Sequence, residues 1–214
     1  MTALQAALDH LTVAATTIEE GVAHVLRALG VAPPQGGAHP LMGTHNHLMQ
    51  LGDGVFLEVI APDPAAAPQR TRWFGLDDPQ MGARLRASPQ LINWVVRVPD
   101  LACALAEVGK ESGDAVRVTR GPLSWLISIP LDGSMPFDGA FPTLIEWPAG
   151  PHPSSRMADL GCRIERLVIT HPQAGHLSAA LAGVITDRRI AVSAGPALEI
   201  RATIATPLGV RELT

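Results

Sequence analysis

Glu58 sits in the apolar phrase Phe56-Leu57-Glu58-Val59-Ile60, where a carboxylate must be paired, hydrogen-bonded, metal-bound or exposed, because unpaired burial is costly. His10 precedes it by 48 positions, in Asp9-His10-Leu11-Thr12-Val13. A second pair repeats the arrangement: Asn93, in Ile92-Asn93-Trp94-Val95-Val96, stands 53 positions before Glu146, in Thr143-Leu144-Ile145-Glu146-Trp147. Glu58, Glu146 and His45 are the candidate catalytic residues, each carboxylate useful as a base if its pKa is raised toward neutrality. Thr44-His45-Asn46-His47 is the densest polar group on any predicted strand. Its two faces carry either the histidines or Thr44 and Asn46, and alternation alone leaves open which pair meets a cleft. With the histidines inward, His45 or His47 joins His10 and Glu58 in a two-histidine, one-carboxylate set with room for substrate or water.

Strand parity groups His10, Thr12, Phe56, Glu58 and Ile60 on a cleft side, with Leu11, Leu57 and Val59 packing beneath helices. Thr12, Phe56, Asn93 and Ser124 are therefore expected to touch a ligand. Ser124 and Ser128 alternate with Trp125, Ile127 and Ile129, which places hydroxyls on the cleft and bulk in the core. Trp73 and Phe74 are placed either to cap an apolar ligand or to pack on an edge. Arg97 meets an anionic substrate or pairs with Glu146. No Gly-x-Ser-x-Gly nucleophile elbow and no phosphate-cradling glycine loop occurs, so a nucleotide cofactor is not expected.

These residues need elements to hold them. Residues 8–14 read as a strand, and Thr17-Ile18-Glu19-Glu20 as a helix-start box followed by Val22, Val25, Leu26 and Leu29 at helical spacing, with Gly30 as the stop. The stretch 33–37 reads as a turn or loop. Strands follow at 44–51 and 55–60, joined by Gly52-Asp53-Gly54. The proline-rich segment 62–90 is a linker or a lid, with a short helix near 81–86. A second unit repeats the order: a strand at 91–98, a helix from 101 to about 108, and strands at 115–119, 123–130 and 142–147. A partial third unit has a strand at 163–170, a helix at 173–182 and strands at 189–194 and 197–206. The expectation is an α+β fold with mixed sheets, organised as residues 1–150 and 151–214.

Composition narrows the function classes. Of 214 residues, 47% are hydrophobic and 17% charged, which fits a folded chain. Aromatics make up 4% with no tyrosine, and the net charge is −4, so neither stacking platforms nor a basic footprint points to nucleic acid. Cys103 and Cys162 form no metal spacing and no disulfide framework. The opening residues lack a signal-peptide pattern and no apolar run is long enough to span a bilayer, so the expectation is a cytoplasmic protein.

The phrases Asp9-His10-Leu11, Gly43-Thr44-His45-Asn46, Gly54-Val55-Phe56-Leu57-Glu58 and Thr143-Leu144-Ile145-Glu146 resemble, in order and spacing, the vicinal oxygen chelate superfamily and its glyoxalase-like branch, over about residues 8–148. The resemblance implies paired βαβββ modules wrapped into a partly open barrel. It also implies metal ligands from the first and last strands of each module, here His10 and Glu58, then Asn93 and Glu146. Asn93 departs from the pattern, because an amide is a poorer divalent-metal ligand than an imidazole or a carboxylate. The function implied is divalent-metal-assisted isomerase, lyase or dioxygenase chemistry on a small oxygenated molecule, with Mn, Fe, Co, Ni or Zn held by His10, Glu58, Glu146 and His47. Its alternative is a metal-free small-molecule binding or sequestration protein using the same cleft. A homodimer through an uncovered sheet edge is a further expectation.

Overall fold

A computed structural model describes residues 6–52 and 54–214. The opening pentapeptide, on which the signal-peptide expectation rested, lies outside the described residues, as does Asp53 of the expected glycine turn. Around that turn Val55 N–H reaches Gly52 O at 2.9 Å.

The first module runs β1 (Ala7–Ala14), α1 (Ile18–Leu29), β2 (Gln35–His39), β3 (Thr44–Gln50) and β4 (Phe56–Pro62). After α2 (Pro79–Ala87), the second runs β5 (Gln90–Arg97), α3 (Leu101–Val108), β6 (Asp114–Arg120), β7 (Leu123–Ile129) and β8 (Thr143–Glu146). The fold is α+β: one eight-stranded mixed sheet, in the order β2-β3-β4-β1-β5-β8-β7-β6, curls into a nearly closed barrel. Each module contributes four adjacent strands, its first and last paired in parallel, and the modules join along antiparallel β1 and β5. Residues 35–37 of the expected loop instead open the edge strand β2, which pairs with β3 through Gln35, Ala38 and His39 and is irregular at its two glycines.

The helices start and stop where the residue types require. Thr17 accepts the Glu20 N–H at 3.3 Å, and Gly30 ends α1 in the left-handed region (φ 76°), where glycine carries no Cβ penalty. The Glu20 carboxylate takes the Thr16 hydroxyl rather than completing the reciprocal half of a capping box.

The remaining segment forms β9 (Arg163–His171), α4 (Ala174–Leu181), β10 (Ile190–Ala194), β11 (Glu199–Thr206) and β12 (Gly209–Leu213). The last strand adds to the expected βαββ unit. Its four-stranded sheet has the order β10-β9-β11-β12, so β10 and not the last strand pairs in parallel with β9. The element order therefore copies the earlier modules while the strand order does not. Leu167, Ile169, Ile200 and Ile204 of this sheet share one continuous core with Leu11, Val25, Leu57 and Trp94 of the barrel's helix-covered side. A separate cluster fills the barrel interior, where Ile60, Ile92, Val95, Ile127 and Ile145 meet Trp73 and Phe74 from the linker. Among the described residues no helix is long and apolar enough to cross a membrane.

Candidate functional site

Consecutive residues on a regular strand point to opposite faces. Asp9 and His10 do not, because β1 carries a bulge there: Leu8 pairs with Val96 and His10 with Val95, leaving Asp9 as the surplus residue. The Asp9 side chain, fully buried, meets its neighbour, and His10 Nδ1–H donates to Asp9 Oδ1 at 2.7 Å. Asp9 Oδ2 takes the Trp147 Nε1–H at 2.9 Å and His152 Nε2 at 2.8 Å. Burial acts to raise the Asp9 pKa, but the hydrogen bonds from His10 and His152, with their charges, outweigh it and hold it down at about 2.

His10, Phe56 and Glu58 face the barrel interior together. The His10 ring stacks on Phe56 with centroids 4.4 Å apart, and its Nε2 lies 3.7 Å from Glu58 Oε2. Glu58 Oε1 accepts from Asn46 Nδ2 at 2.7 Å. Asn46 Oδ1 in turn accepts from Gly37 N–H at 2.9 Å and Arg120 Nη1 at 3.2 Å. Gly36 makes room for this: a Cβ there would lie 2.3 Å from Asn46 Oδ1. Buried His39 bridges Thr44 Oγ1, 3.1 Å from its Nδ1, and Asn46 Nδ2, 3.4 Å from its Nε2. Burial, followed by the charges of Arg120, His10 and His45, lowers its pKa to about 3, so His39 is neutral at physiological pH.

These groups line a small recess of about 30 Å³, closed by Trp73, Phe74, Trp125, Ile127 and Ile145. That is room for one or two water-sized groups. It opens onto an outer chamber of about 630 Å³, and the two share Leu48, Arg120, Trp147, Pro153 and Met157. Phe74 stands at φ 58°, a conformation unfavourable for an aromatic residue, where it stacks on Trp73 at 5.3 Å.

The structure brings only some of the expected residues together. His10, Phe56, Glu58 and Trp73 line the recess. Of the two faces of β3, Asn46 lines it, while His47 Nδ1 bonds Pro33 O at 2.7 Å and His45 shares that outer side. His45 and His47 therefore lie on the face of β3 opposite Asn46 and do not line the recess. Thr12, in register with Glu58, is fully buried, and its hydroxyl meets no described partner. Asn93 is engaged elsewhere, donating to Thr143 Oγ1 at 2.7 Å and accepting the Trp94 N–H at 2.6 Å. Glu146 is a correction: Ile145 faces inward, and the Glu146 carboxylate accepts the Leu101 N–H at 2.7 Å, capping α3 beside Asp100. Arg97 does not meet Glu146 and does not line the recess; its Nη1 donates to Leu8 O and Gly54 O at 2.9 and 2.8 Å and lies 3.9 Å from Asp9 Oδ2. Ser124 is also reversed, since Trp125 and Ile127 take the cleft face and Ser124 Oγ accepts from Arg117 at 3.3 Å.

Asp9, His39, Arg120 and His152 were missed as site residues. Only Asp9 carried a signal in sequence, its adjacency to His10. The others converge from β2, β6 and the turn after β8. As a metal centre the donor set falls short: His10 Nε2 and Glu58 Oε2 approach each other, but the third and fourth positions implied by the resemblance hold Asn93 and Glu146, both turned to other work. Among the described residues no three His, Cys, Asp or Glu side chains are grouped to hold an ion.

A glyoxalase-like domain profile matches residues 8–185. The chain belongs to the glyoxalase-like domain family. Among solved structures, a hypothetical protein from Staphylococcus aureus is similar in fold, with TM-score 0.60 and 11% identity over 91% of this chain and 88% of its own. Methylmalonyl-CoA epimerase from Mycobacterium tuberculosis aligns over 71% of this chain and 93% of its own, at TM-score 0.44 and 16% identity. No curated protein matches the chain. In this glyoxalase-like domain the barrel cleft is retained while two of its four implied ligand positions serve the scaffold.

Proposed function

We propose that this glyoxalase-like protein binds a small organic molecule in the barrel cleft without a resident metal. The observation that carries the reading is the diversion of Asn93 to Thr143 and of Glu146 to the N-terminus of α3. What remains is a mostly apolar recess with a few convergent polar groups, the usual makeup of a small-molecule site.

One observation favours a second reading, metal-free proton transfer on the bound molecule. Asp9 fixes His10 through Nδ1, leaving Nε2 toward the recess and Glu58. Such a pair can take up or return a proton beside a ligand. Isomerase and lyase chemistry fall within this reading.

The test is elemental mass spectrometry on protein purified without chelator, with and without metal supplementation. Metal well below one equivalent, unchanged in His10→Ala and Glu58→Ala, is the expected result. Near one equivalent of Mn, Fe, Co, Ni or Zn, lost in both variants, overturns it and returns the site to metal-assisted chemistry.

A further inference from the structure

The outer chamber has a charge pattern of its own. Its wall contains Arg120 and Arg156 and no Asp or Glu, in a chain whose net charge is −4. Among the described residues no ion pair joins either arginine to a carboxylate. Arg120 stands at the neck, belonging to the walls of both the recess and the chamber. It is held there by Asn46 Oδ1 and by the Trp125 ring, whose centroid is 6.0 Å from the guanidinium carbon. The side-chain stem passes close to Gly37, where a Cβ would lie 2.8 Å from Arg120 Cδ. A single hydrogen bond to Asn46 leaves most of the guanidinium's five N–H donors available to an occupant.

The geometry points to an organic carboxylate with an apolar body as the ligand, its carboxylate on Arg120 at the neck. This deepens the cleft-binding reading and rests on it. A guanidinium presents paired N–H groups that match a carboxylate. The recess beyond the neck already holds the Glu58 carboxyl group, so it disfavours a second anion and takes a small neutral substituent of the ligand. The apolar body lies in the chamber against Leu48, Leu123, Trp147 and Met157. Arg156, exposed on the turn Pro153–Arg156, adds attraction from the rim.

Trp147 belongs to both walls, so tryptophan fluorescence reports occupancy. The experiment titrates the whole protein with 4-phenylbutanoate and with its neutral isostere 4-phenylbutanamide, in wild type, Arg120→Gln, Arg120→Lys and Arg156→Gln. The wild type is expected to prefer the acid by about tenfold or more, the usual size of a charge-assisted hydrogen bond. The preference should vanish in Arg120→Gln, survive in part in Arg120→Lys, and shrink in Arg156→Gln, with amide affinity little changed. Equal affinity of the wild type for acid and amide overturns the anion site while leaving cleft binding in place. An acid preference that persists undiminished in Arg120→Gln overturns it as well. Failure of both compounds to bind at millimolar concentration overturns the anion site and the cleft-binding reading together. Thermal midpoints check that the variants are folded. If Arg120→Gln does not fold, exposed Arg156→Gln decides: an unaltered acid preference counts against the site.

Discussion

Asn46 and Glu58 are not cross-strand partners: the residue opposite Asn46 in the β3–β4 register is Ile60, and its amide reaches diagonally to Glu58 at 2.7 Å. The same amide accepts from Gly37 and Arg120 through its oxygen. One side chain thus ties the inner carboxylate, the edge strand and the neck arginine together.

Replacing Asn46 by alanine should therefore lower stability by about 1–3 kcal/mol, since Glu58 Oε1 and the Gly37 N–H lose their partner at a buried site. Gly36→Ala should produce a similar loss by a different route, its Cβ displacing Asn46 Oδ1. Urea unfolding of both single variants and the double variant checks the shared cause. The double variant should lose clearly less than the sum of the two, and strict additivity would mean that the glycine and the amide act independently.

Asp9 sets an acid dependence. Its folded pKa, about 2, lies below that of an unfolded aspartate. Its contribution is then fully present above pH about 4 and is lost as pH falls toward 2, amounting to about 2 kcal/mol at neutral pH. Asp9→Asn should remove that contribution and flatten the stability profile in this window. Unfolding midpoints between pH 2 and 6 test it, and an unchanged slope counts against the assignment.

His39 acts in the same direction over a higher range. With its folded pKa lowered to about 3, the unfolded chain binds the proton first, below pH about 6.5. Stability should decline as pH falls from 6.5 toward 3, and His39→Gln should reduce that decline. In the folded protein the His39 ring signal in a histidine NMR titration should not move above pH about 4; titration near 6.5 would show that the ring is hydrated.

Glu146 and Glu58 should separate cleanly. Glu146→Gln weakens the cap on α3, lowering stability by about 0.5–1 kcal/mol, and leaves cleft binding unchanged. Glu58→Gln should alter ligand affinity in the fluorescence titration. Equal effects of the two on binding would place Glu146 back at the cleft.

Much of the barrel was legible because its causes are local. Helix caps, turn glycines and two-residue alternation act over a few positions, and they located α1, α3 and nearly every strand. His10, Phe56 and Glu58 came out on the correct face for the same reason. The failures were of two physical kinds. β8 is too short for alternation to fix its faces: Thr143 and Ile145 turn inward, and carrying Glu146 over by its place at the end of the strand put it on the wrong side. The same ambiguity reversed Ser124 and Trp125 on β7. The other failures came from convergence: Arg120, His39 and His152 reach the site from remote segments, and no spacing along the chain records which remote residues meet.

The bulge at Asp9 makes the site depend on a count of residues as well as on their identities. Farther along the same ladder β5 carries a compensating surplus, since Thr12 pairs with Asn93 and Val13 with Leu91, skipping Ile92. The two irregularities cancel, and between them His10 and Thr12 keep their alignment. In evolutionary terms, substitutions here can be graded, each altering one group while the others hold position. Losing a single codon from either strand is different in kind: it leaves the other surplus uncancelled and puts the remaining ladder out of step. In this chain the pocket can be reshaped gradually by substitution, whereas a change of strand length here must remake the site in one event.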